Sequence, residues 1–130
     1  MNFNKPAGRV AVVEDDPALR NLVIRILQME SYDAVGFATA ADALERMATE
    51  APDVLILDLD LPDLDGESLL ASLRTEGFKR PVILMTASAD AHFAFRRMNA
   101  DGLVTKPFDP FTLLTLLHSL VASQELAGEF

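Results

Sequence analysis

Several side chains able to take part in phosphate or metal chemistry stand directly after short apolar runs of the chain. The runs cover residues 9–13, 53–57, 81–85 and 103–105, and the polar residues that follow are Glu14 and Asp15, Asp58, Thr86, and Lys106. Carboxylates are hard oxygen ligands suited to Mg²⁺, whereas a hydroxyl and an ammonium group can hold the oxygens of a phosphoryl group. Three carboxylates in one pocket also repel one another, so we expect at least one raised pKa among them.

The apolar runs have the length and β-branched composition of buried strands, and amphipathic segments separate them. Asp16 can cap a first helix over residues 17–29, with Pro17 in its first turn. The remaining predicted elements are a strand at 33–37, helices at 42–50, 67–75 and 89–98, and a long last helix opened by Asp109 and Pro110. Strand and helix alternate throughout, which predicts an α/β fold: a doubly wound five-stranded parallel sheet in a flavodoxin-like three-layer sandwich.

A sheet of this kind binds ligands at the carboxyl ends of its strands, so the fold should bring the polar residues together. Asp58 can then act as a covalent nucleophile, because a carboxylate is already an anion and needs no base. Phosphoryl transfer mainly requires positioning and neutralisation of the equatorial oxygens, which a cation and Lys106 can supply. Because its ligands must be deprotonated, the metal should bind more weakly below about pH 5.

The polar segments occur in an order that resembles the signature of response-regulator receiver domains of bacterial two-component systems, of the chemotaxis-regulator-like type. They are Glu14-Asp15 after an apolar strand, residues 55–66 (LILDLDLPDLDG), Met85-Thr86-Ala87 and Lys106-Pro107-Phe108. The resemblance covers nearly the whole chain. We expect a receiver domain over residues 9–124, an N-terminal extension over 1–8 and a C-terminal tail over 125–130.

The resemblance implies a role for each position at the strand ends. These roles are phosphorylation at Asp58, phosphoryl binding by Thr86 and Lys106, and Mg²⁺ binding by Asp15, Asp58, the backbone carbonyl of Asp60 and, through water, Glu14. It also implies a sensor histidine kinase or histidine phosphotransfer protein as phosphodonor and a downstream effector protein or domain as partner. The chain would be no enzyme beyond its own phosphorylation and dephosphorylation, and a phosphorylation-dependent homodimer is left open.

Composition narrows the classes of partner and the location. The net charge of −9 disfavours direct contact with a nucleic acid, whose affinity for proteins comes largely from lysine and arginine. No apolar run approaches the length needed to span a bilayer, and cysteine is absent. We therefore expect a cytoplasmic protein that binds neither nucleic acid nor membrane.

The acidic segment at residues 58–66 also suggests two other functional classes. Asp58-Leu59-Asp60 is similar to the nucleophile motif of haloacid-dehalogenase-type phosphatases, but those usually carry Thr or Val where this chain has Pro62, and their nucleophile strand comes first. An EF-hand loop built around Gly66 would put Leu61 and Ser72 at ligand positions, which excludes it. The neighbouring acids Asp63 and Asp65 are interpreted as solvated loop acids rather than ligands.

The chain departs from the receiver pattern in three respects. Leu103 stands where the family usually has Tyr or Phe, so it cannot act as an aromatic switch. Asn99 replaces a glycine and is expected to form a left-handed helix cap, and the interval from Thr86 to Lys106 is about two residues shorter than the resemblance implies. The histidines, His92 and His118, are assigned no chemistry.

Overall fold

The computed structural model describes residues 7–61, 63, 65–87 and 90–128, with the side chains of the last helix described as far as residue 124. Strands and helices alternate along these residues. The strands are β1 (Arg9–Val13), β2 (Asp33–Phe37), β3 (Val54–Asp58), β4 (Val82–Thr86) and β5 (Gly102–Thr105). The helices are α1 (Pro17–Met29), α2 (Ala40–Met47), α3 (Gly66–Thr75), α4 (Ala91–Met98) and α5 (Pro110–Gly128).

The strands form one five-stranded parallel sheet in the order β2-β1-β3-β4-β5. The chain moves outward in one direction from β1 to β2 and in the other from β3 to β5, so the order reverses between β1 and β3. Open parallel sheets bind ligands at such a switch point, beside the carboxyl ends of the two strands. The predicted doubly wound sheet is confirmed, and its ligand edge lies where Glu14 follows β1 and Asp58 ends β3.

Alternate strand residues face two separate cores. Val10 and Val12 pack with residues of α1 and α5, whereas Ala11 and Val13 pack with residues of α2 and α3. β3 and β4 are buried along their whole length. Helices therefore cover both faces of the sheet, and each fully buried Val or Leu contributes about 1.5–3 kcal/mol to holding the layers together.

The predicted starts of α1 and α5, at Pro17 and Pro110, are confirmed. The Asp16 carboxylate accepts hydrogen bonds from the backbone N–H groups of Ala18 and Leu19, at 3.0 and 3.5 Å, and α1 begins at Pro17. α5 begins at Pro110 but continues to Gly128, past the predicted domain end at residue 124, so that boundary remains a prediction. The predicted start of the fourth helix at Ala89 lies outside the described residues. Among the helices of the described residues, none has the length and apolarity to cross a membrane.

The prediction for α2 was wrong at both ends, since the helix covers Ala40–Met47 rather than residues 42–50. The early start has two causes that come from outside the apolar pattern. Thr39 caps Asp42 through its hydroxyl oxygen at 3.2 Å, and the Asp63 carboxylate accepts hydrogen bonds from the N–H groups of Ala40 and Ala41 at 3.0 and 3.1 Å. Four orphan N–H groups begin every helix, and here a distant loop satisfies two of them.

Candidate active site

The sheet brings the polar residues of separate strands to one place, as the sequence predicted. Glu14 and Asp15 follow β1 directly, Asp58 is the last residue of β3, and Thr86 is the last residue of β4. One carboxylate oxygen from each of Glu14, Asp15 and Asp58 lies within 4.8 Å of the others. We call these three residues the acidic cluster. Its oxygen-only ligand set suits a hard divalent cation.

Lys106 reaches the acidic cluster from the end of β5. Its Nζ lies 2.7 Å from Glu14 Oε1 and 3.4 Å from Asp58 Oδ2. The Lys106 backbone N–H donates to the carbonyl oxygen of Thr86 at 2.9 Å, which continues the pairing of β4 with β5 by one residue. The Lys106–Pro107 peptide bond is cis. A single ammonium group therefore contacts both buried carboxylates, and it lies closer to Glu14 than to the predicted nucleophile.

The site is closed beneath and open at its rim. Glu14 and Thr86 are completely buried and Asp58 is 2% exposed, whereas Asp15 is an exposed residue. The side chain of Lys106 is 22% exposed. Among the described residues of the acidic cluster and Lys106, it is Asp15 and Lys106 that open the site to solvent. The low dielectric around the buried carboxylates strengthens any interaction with a cation there.

The environment of Glu14 confirms the expectation of one raised pKa in the acidic cluster. Burial is the main cause, and a hydrogen bond shared with the Asp58 carboxyl adds to it; together they outweigh Lys106 and raise the pKa of Glu14 to about 7. That shared hydrogen bond requires a proton on one of the two carboxyls. Once Glu14 is ionised, its buried Oε2 has no hydrogen-bond partner among the described residues. A buried oxygen without a partner fits a site that takes up a cation.

The same carboxylates raise the pKa of Lys106. Burial acts to lower that pKa, but the hydrogen bond to Glu14 and the negative charge of Asp58 outweigh it. Lys106 is therefore a fixed positive charge at neutral pH. The role of Lys106 in binding phosphoryl oxygens remains a prediction, and a positive charge beside Asp58 is what that role requires.

The loop after β3 holds Asp58 from its own side. The Asp60 N–H donates to Asp58 Oδ1 at 3.2 Å, and the Gly66 N–H donates to the Leu59 carbonyl oxygen at 2.9 Å. A Cβ on Gly66 would lie 2.8 Å from the Asp58 carbonyl oxygen and from Leu59 Cα, so only glycine fits. No such close contact was predicted from the sequence for Gly66, which ends the segment 55–66. The predicted role of the Asp60 carbonyl as a metal ligand remains a prediction.

Asp63 and Asp65 are helix caps rather than members of the acidic cluster. Asp65 accepts a hydrogen bond from the Ser68 N–H at 2.8 Å at the start of α3, which therefore begins one residue earlier than predicted. Asp63 caps α2, as described above. Both acids are exposed and lie outside the acidic cluster, as expected, and the Asp63 carboxylate in addition caps α2 from the loop after β3.

The departures from the family pattern have structural counterparts in α4 and β5. Asn99 adopts φ 54° and ψ 46° at the end of α4, which confirms the left-handed cap. Leu103 is partly buried and packs against the core shared with α2 and α3. Phe95 and Met98 pack against the same core, whereas Phe93 is 73% exposed.

Neither histidine belongs to the acidic cluster, as predicted. His118 Nδ1 forms a hydrogen bond with the Tyr32 hydroxyl, and its ring lies against the Tyr32 ring. His92 is exposed on α4. The residue that the sequence analysis missed is Arg20, whose guanidinium donates to the backbone carbonyl oxygen of Glu14 at 2.9 Å. An arginine one turn after a helix cap gives no signal of such a contact in the sequence.

These features define a doubly wound α/β domain with an acidic, lysine-paired site at its switch point. The family model described as "Response regulator receiver domain" matches residues 10–118, so the chain belongs to that family. Receiver domains are regulatory modules of two-component signal transduction. The family membership favours this function over a haloacid-dehalogenase-type phosphatase, the alternative raised by the Asp58-Leu59-Asp60 motif.

Similar proteins agree with this assignment. The chain is 35% identical over 116 residues to the DNA-binding transcriptional regulator NtrC of Proteus hauseri, covering 88% of this chain and 24% of that protein. It is 30% identical over 123 residues to the alkaline phosphatase synthesis transcriptional regulatory protein PhoP of Bacillus subtilis strain 168, covering 92% of this chain and 51% of that protein. The chain thus spans between a quarter and about half of these relatives.

Solved structures give the same fold. The receiver domain of Francisella response regulator 1452 superposes with a TM-score of 0.84 at 27% identity, covering 90% of this chain and 98% of that one. The CheY-like response regulator receiver domain protein of Methanospirillum hungatei JF-1 also gives a TM-score of 0.84 at 27% identity, covering 92% and 97% of the two chains.

Metal binding should depend on pH through Glu14. Its pKa in the folded protein, about 7, lies above the ordinary value of 4.5, so ionising Glu14 costs free energy. The metal-free protein should therefore lose stability as pH rises through this interval, and Mg²⁺ should reverse the loss. We expect Mg²⁺ to increase the thermal midpoint more at pH 8 than at pH 5. The affinity for Mg²⁺ should therefore begin to fall at a higher pH than the value of about 5 expected from the sequence. An increase of equal size at both pH values would contradict this.

Asp15→Asn should weaken Mg²⁺ binding without destabilising the fold. Asp15 is exposed and belongs to the acidic cluster, so the variant removes one anionic ligand and creates no cavity. We expect Mg²⁺ affinity to fall about tenfold or more at any pH. Titration followed by NMR measures it, with Asp16→Asn as the control because asparagine also caps helices well. Equal affinity in the two variants would argue against the assigned ligand.

Proposed function

We propose that this chain receives a phosphoryl group on Asp58 in the presence of Mg²⁺ and changes conformation in response. The observation that carries the proposal is the position of Lys106 Nζ, 2.7 Å from Glu14 and 3.4 Å from Asp58 in a pocket whose carboxylates come from separate strands. Phosphoryl transfer requires a positive charge beside the attacking carboxylate, and the ammonium group of Lys106 beside Asp58 and two further acids is such an arrangement. The donor is a sensor histidine kinase or a histidine phosphotransfer protein.

The transfer follows from the placement of these groups. An Asp58 carboxylate oxygen attacks phosphorus, a P–O bond forms to Asp58, the P–N bond of the donor phosphohistidine breaks, and the departing imidazole keeps the electron pair and takes a proton. The hydroxyl of Thr86 and the ammonium of Lys106 hold the phosphoryl oxygens. Asp15, Asp58 and the Asp60 carbonyl would hold Mg²⁺, with Glu14 acting through water, and the bound ion would supply charge neutralisation.

The chemistry of the chain is limited to its own phosphorylation and dephosphorylation. In dephosphorylation a water molecule attacks the phosphorus, a new P–O bond forms, the P–O bond to Asp58 breaks, and inorganic phosphate leaves while Asp58 regains its carboxylate. The relatives NtrC and PhoP are named as transcriptional regulators, and we propose that this domain likewise controls an effector domain or protein. Its charge of −9 leaves contact with nucleic acid to that effector. The domain could also control its effector by forming a homodimer on phosphorylation.

Acetyl phosphate provides a direct test, since a small acyl phosphate replaces the protein donor. Incubation with Mg²⁺ should add the mass of one phosphoryl group to the intact chain, and hydroxylamine should remove it. EDTA should prevent the addition. The proposal would be refuted if, in the presence of Mg²⁺, neither acetyl phosphate nor a histidine phosphotransfer donor increased the mass of the chain.

The conformational output should pass through α4, β5 and α5. Phosphorylation adds about two negative charges beside Thr86 and Lys106, which should draw both residues inward. The loop after β4 should move with them, and the predicted movement includes Ser88, which lies outside the described residues. Leu103 cannot report the change as an aromatic side chain would. We expect Phe95, which is half-buried against the same core as Leu103, to repack with α4. Phe93 on the same helix is already exposed.

Amide chemical shifts on addition of beryllofluoride and Mg²⁺ measure this output. The largest changes should fall in residues 86–98 and 103–113, apart from the site itself. Phe95→Leu should reduce the changes in α4, whereas Phe93→Leu should leave them in place. Changes concentrated in α1 and α2 would show that the signal leaves by another route.

A further inference from the structure

Arg20 connects the first turns of α1 to the end of β1. Its side chain is partly buried, and Nη1 donates to the backbone carbonyl oxygen of Glu14 at 2.9 Å. This carbonyl belongs to the peptide unit that joins Glu14 to Asp15, outside β1 and before α1. A hydrogen bond from a guanidinium is charge-assisted and therefore stronger than one between two neutral groups.

The backbone of Glu14 is held at both of its polar groups. Its N–H donates to the Phe37 carbonyl oxygen at the end of β2 at 3.0 Å, and its carbonyl oxygen accepts from Arg20. The first bond fixes Glu14 to the sheet. The second fixes the orientation of the following peptide plane, and that plane sets the direction in which the Asp15 side chain leaves the backbone.

Gly36 in β2 leaves room for the Arg20 side chain to lie over that strand. A Cβ on Gly36 would lie 3.0 Å from Arg20 Cδ, 3.1 Å from Arg20 Cγ and 2.6 Å from Ile24 Cδ1. The aliphatic part of Arg20 thus packs directly on the backbone of β2. This packing limits the rotamers of Arg20 and directs its guanidinium at the Glu14 carbonyl.

We propose that Arg20 is a positioning residue for the acidic cluster: by fixing the Glu14–Asp15 peptide, it sets the affinity of the site for a divalent cation. Arg20 contacts neither substrate nor metal in this role. Removing a residue that orients a metal ligand without contacting the metal commonly changes metal affinity about 10- to 100-fold. The inference rests on the proposed function, because it assumes that the acidic cluster binds Mg²⁺.

Arg20→Met is the first variant to test, because it keeps the aliphatic stem and removes the donor. Arg25→Met is the matched control: Arg25 is exposed on the same helix and has no hydrogen bond or ion pair with any described residue. Mg²⁺ affinity, measured by NMR titration, should fall about tenfold in Arg20→Met and stay unchanged in Arg25→Met. Arg20→Lys, which keeps a charge and a donor, should restore part of the loss.

A metal-free measurement separates positioning from simple stabilisation. In Arg20→Met without Mg²⁺, the amide resonances of Glu14 and Asp15 should shift, since their shared peptide loses its constraint. If Arg20→Met does not fold, affinities should still rank from the wild type through Arg20→Lys to Arg20→Gln. Equal Mg²⁺ affinity of the folded Arg20 variants and the Arg25 control would overturn the inference while leaving the proposed function intact. A wild-type protein that neither binds Mg²⁺ nor gains a phosphoryl group would overturn both.

Discussion

Asp58→Asn is expected to abolish phosphorylation of this domain by acetyl phosphate while leaving its fold in place. Asn has the shape of Asp, its amide oxygen can still accept the hydrogen bond that the Asp60 N–H donates at 3.2 Å, and the position is 2% exposed. The neutral amide cannot attack phosphorus, however. Loss of a nucleophile commonly lowers the rate by a thousandfold or more, so we expect a rate at least about a thousandfold lower.

The rate of mass gain in Mg²⁺ and acetyl phosphate measures this effect. Asp65→Asn is the control, because it makes the same change of acid to amide on the same loop and keeps a good helix cap. This control should be phosphorylated at close to the wild-type rate. If Asp58→Asn still acquired a hydroxylamine-labile phosphate as fast as Asp65→Asn, another carboxylate would be the acceptor.

Lys106→Met is expected to have the second-largest effect, on both phosphorylation and stability. Met removes the ammonium group that lies 2.7 Å from Glu14 and 3.4 Å from Asp58 and leaves two buried carboxylates facing each other. Without that ammonium group the phosphoryl oxygens lose one of the two positive charges proposed to neutralise them, so the rate should fall about a hundredfold or more. In EDTA at pH 8 the unfolding free energy should also fall by about 1–3 kcal/mol, because a buried charged partner is lost.

The loss of stability should depend on pH in a defined direction. Lys106 lowers the pKa of Glu14 from what burial alone would give, so the pKa of Glu14 should rise further above 7 in the variant. At pH 8 Glu14 is ionised in the unfolded chain, so folding of the variant must either bury that charge without Lys106 or bind a proton, and both cost free energy. At pH 5 Glu14 is protonated in the folded protein with or without Lys106. Urea denaturation at the two pH values should therefore show the larger deficit at pH 8. An equal deficit at both values, or the same deficit in the exposed-lysine control Lys79→Met, would contradict the assigned contacts.

The parts of the fold that could be predicted are those fixed by local pattern. β1, β2 and α1 have the predicted bounds because an apolar β-branched run or a capped amphipathic stretch determines them without help from distant residues. The placement of Glu14, Asp58 and Thr86 at one edge follows from a parallel sheet alone. The early start of α2 could not be predicted, since Asp63 caps it from a loop far away in the sequence.

Contacts that depend on packing were also beyond the sequence. Lys106 was expected beside the phosphoryl group, but its closest contact is Glu14, because the burial of Glu14 is known only from the structure. Phe93 and Phe95 are the same residue type on one helix, yet the turn of about 100° per residue puts them on different sides of it. One is 73% exposed and the other packs against the core with Leu103. Arg20 shows the same limit, since its contact needs the space left by Gly36 in β2.

The most direct test of the central claim is to locate the phosphoryl group in the wild-type chain. After reaction with acetyl phosphate and Mg²⁺, borohydride reduces an aspartyl phosphate to the corresponding alcohol, and peptide mass spectrometry identifies the converted residue. We predict conversion at Asp58 alone, with Asp15 and Asp60 unmodified. Conversion at Asp15, Asp60 or Glu14 with Asp58 unchanged would contradict the account.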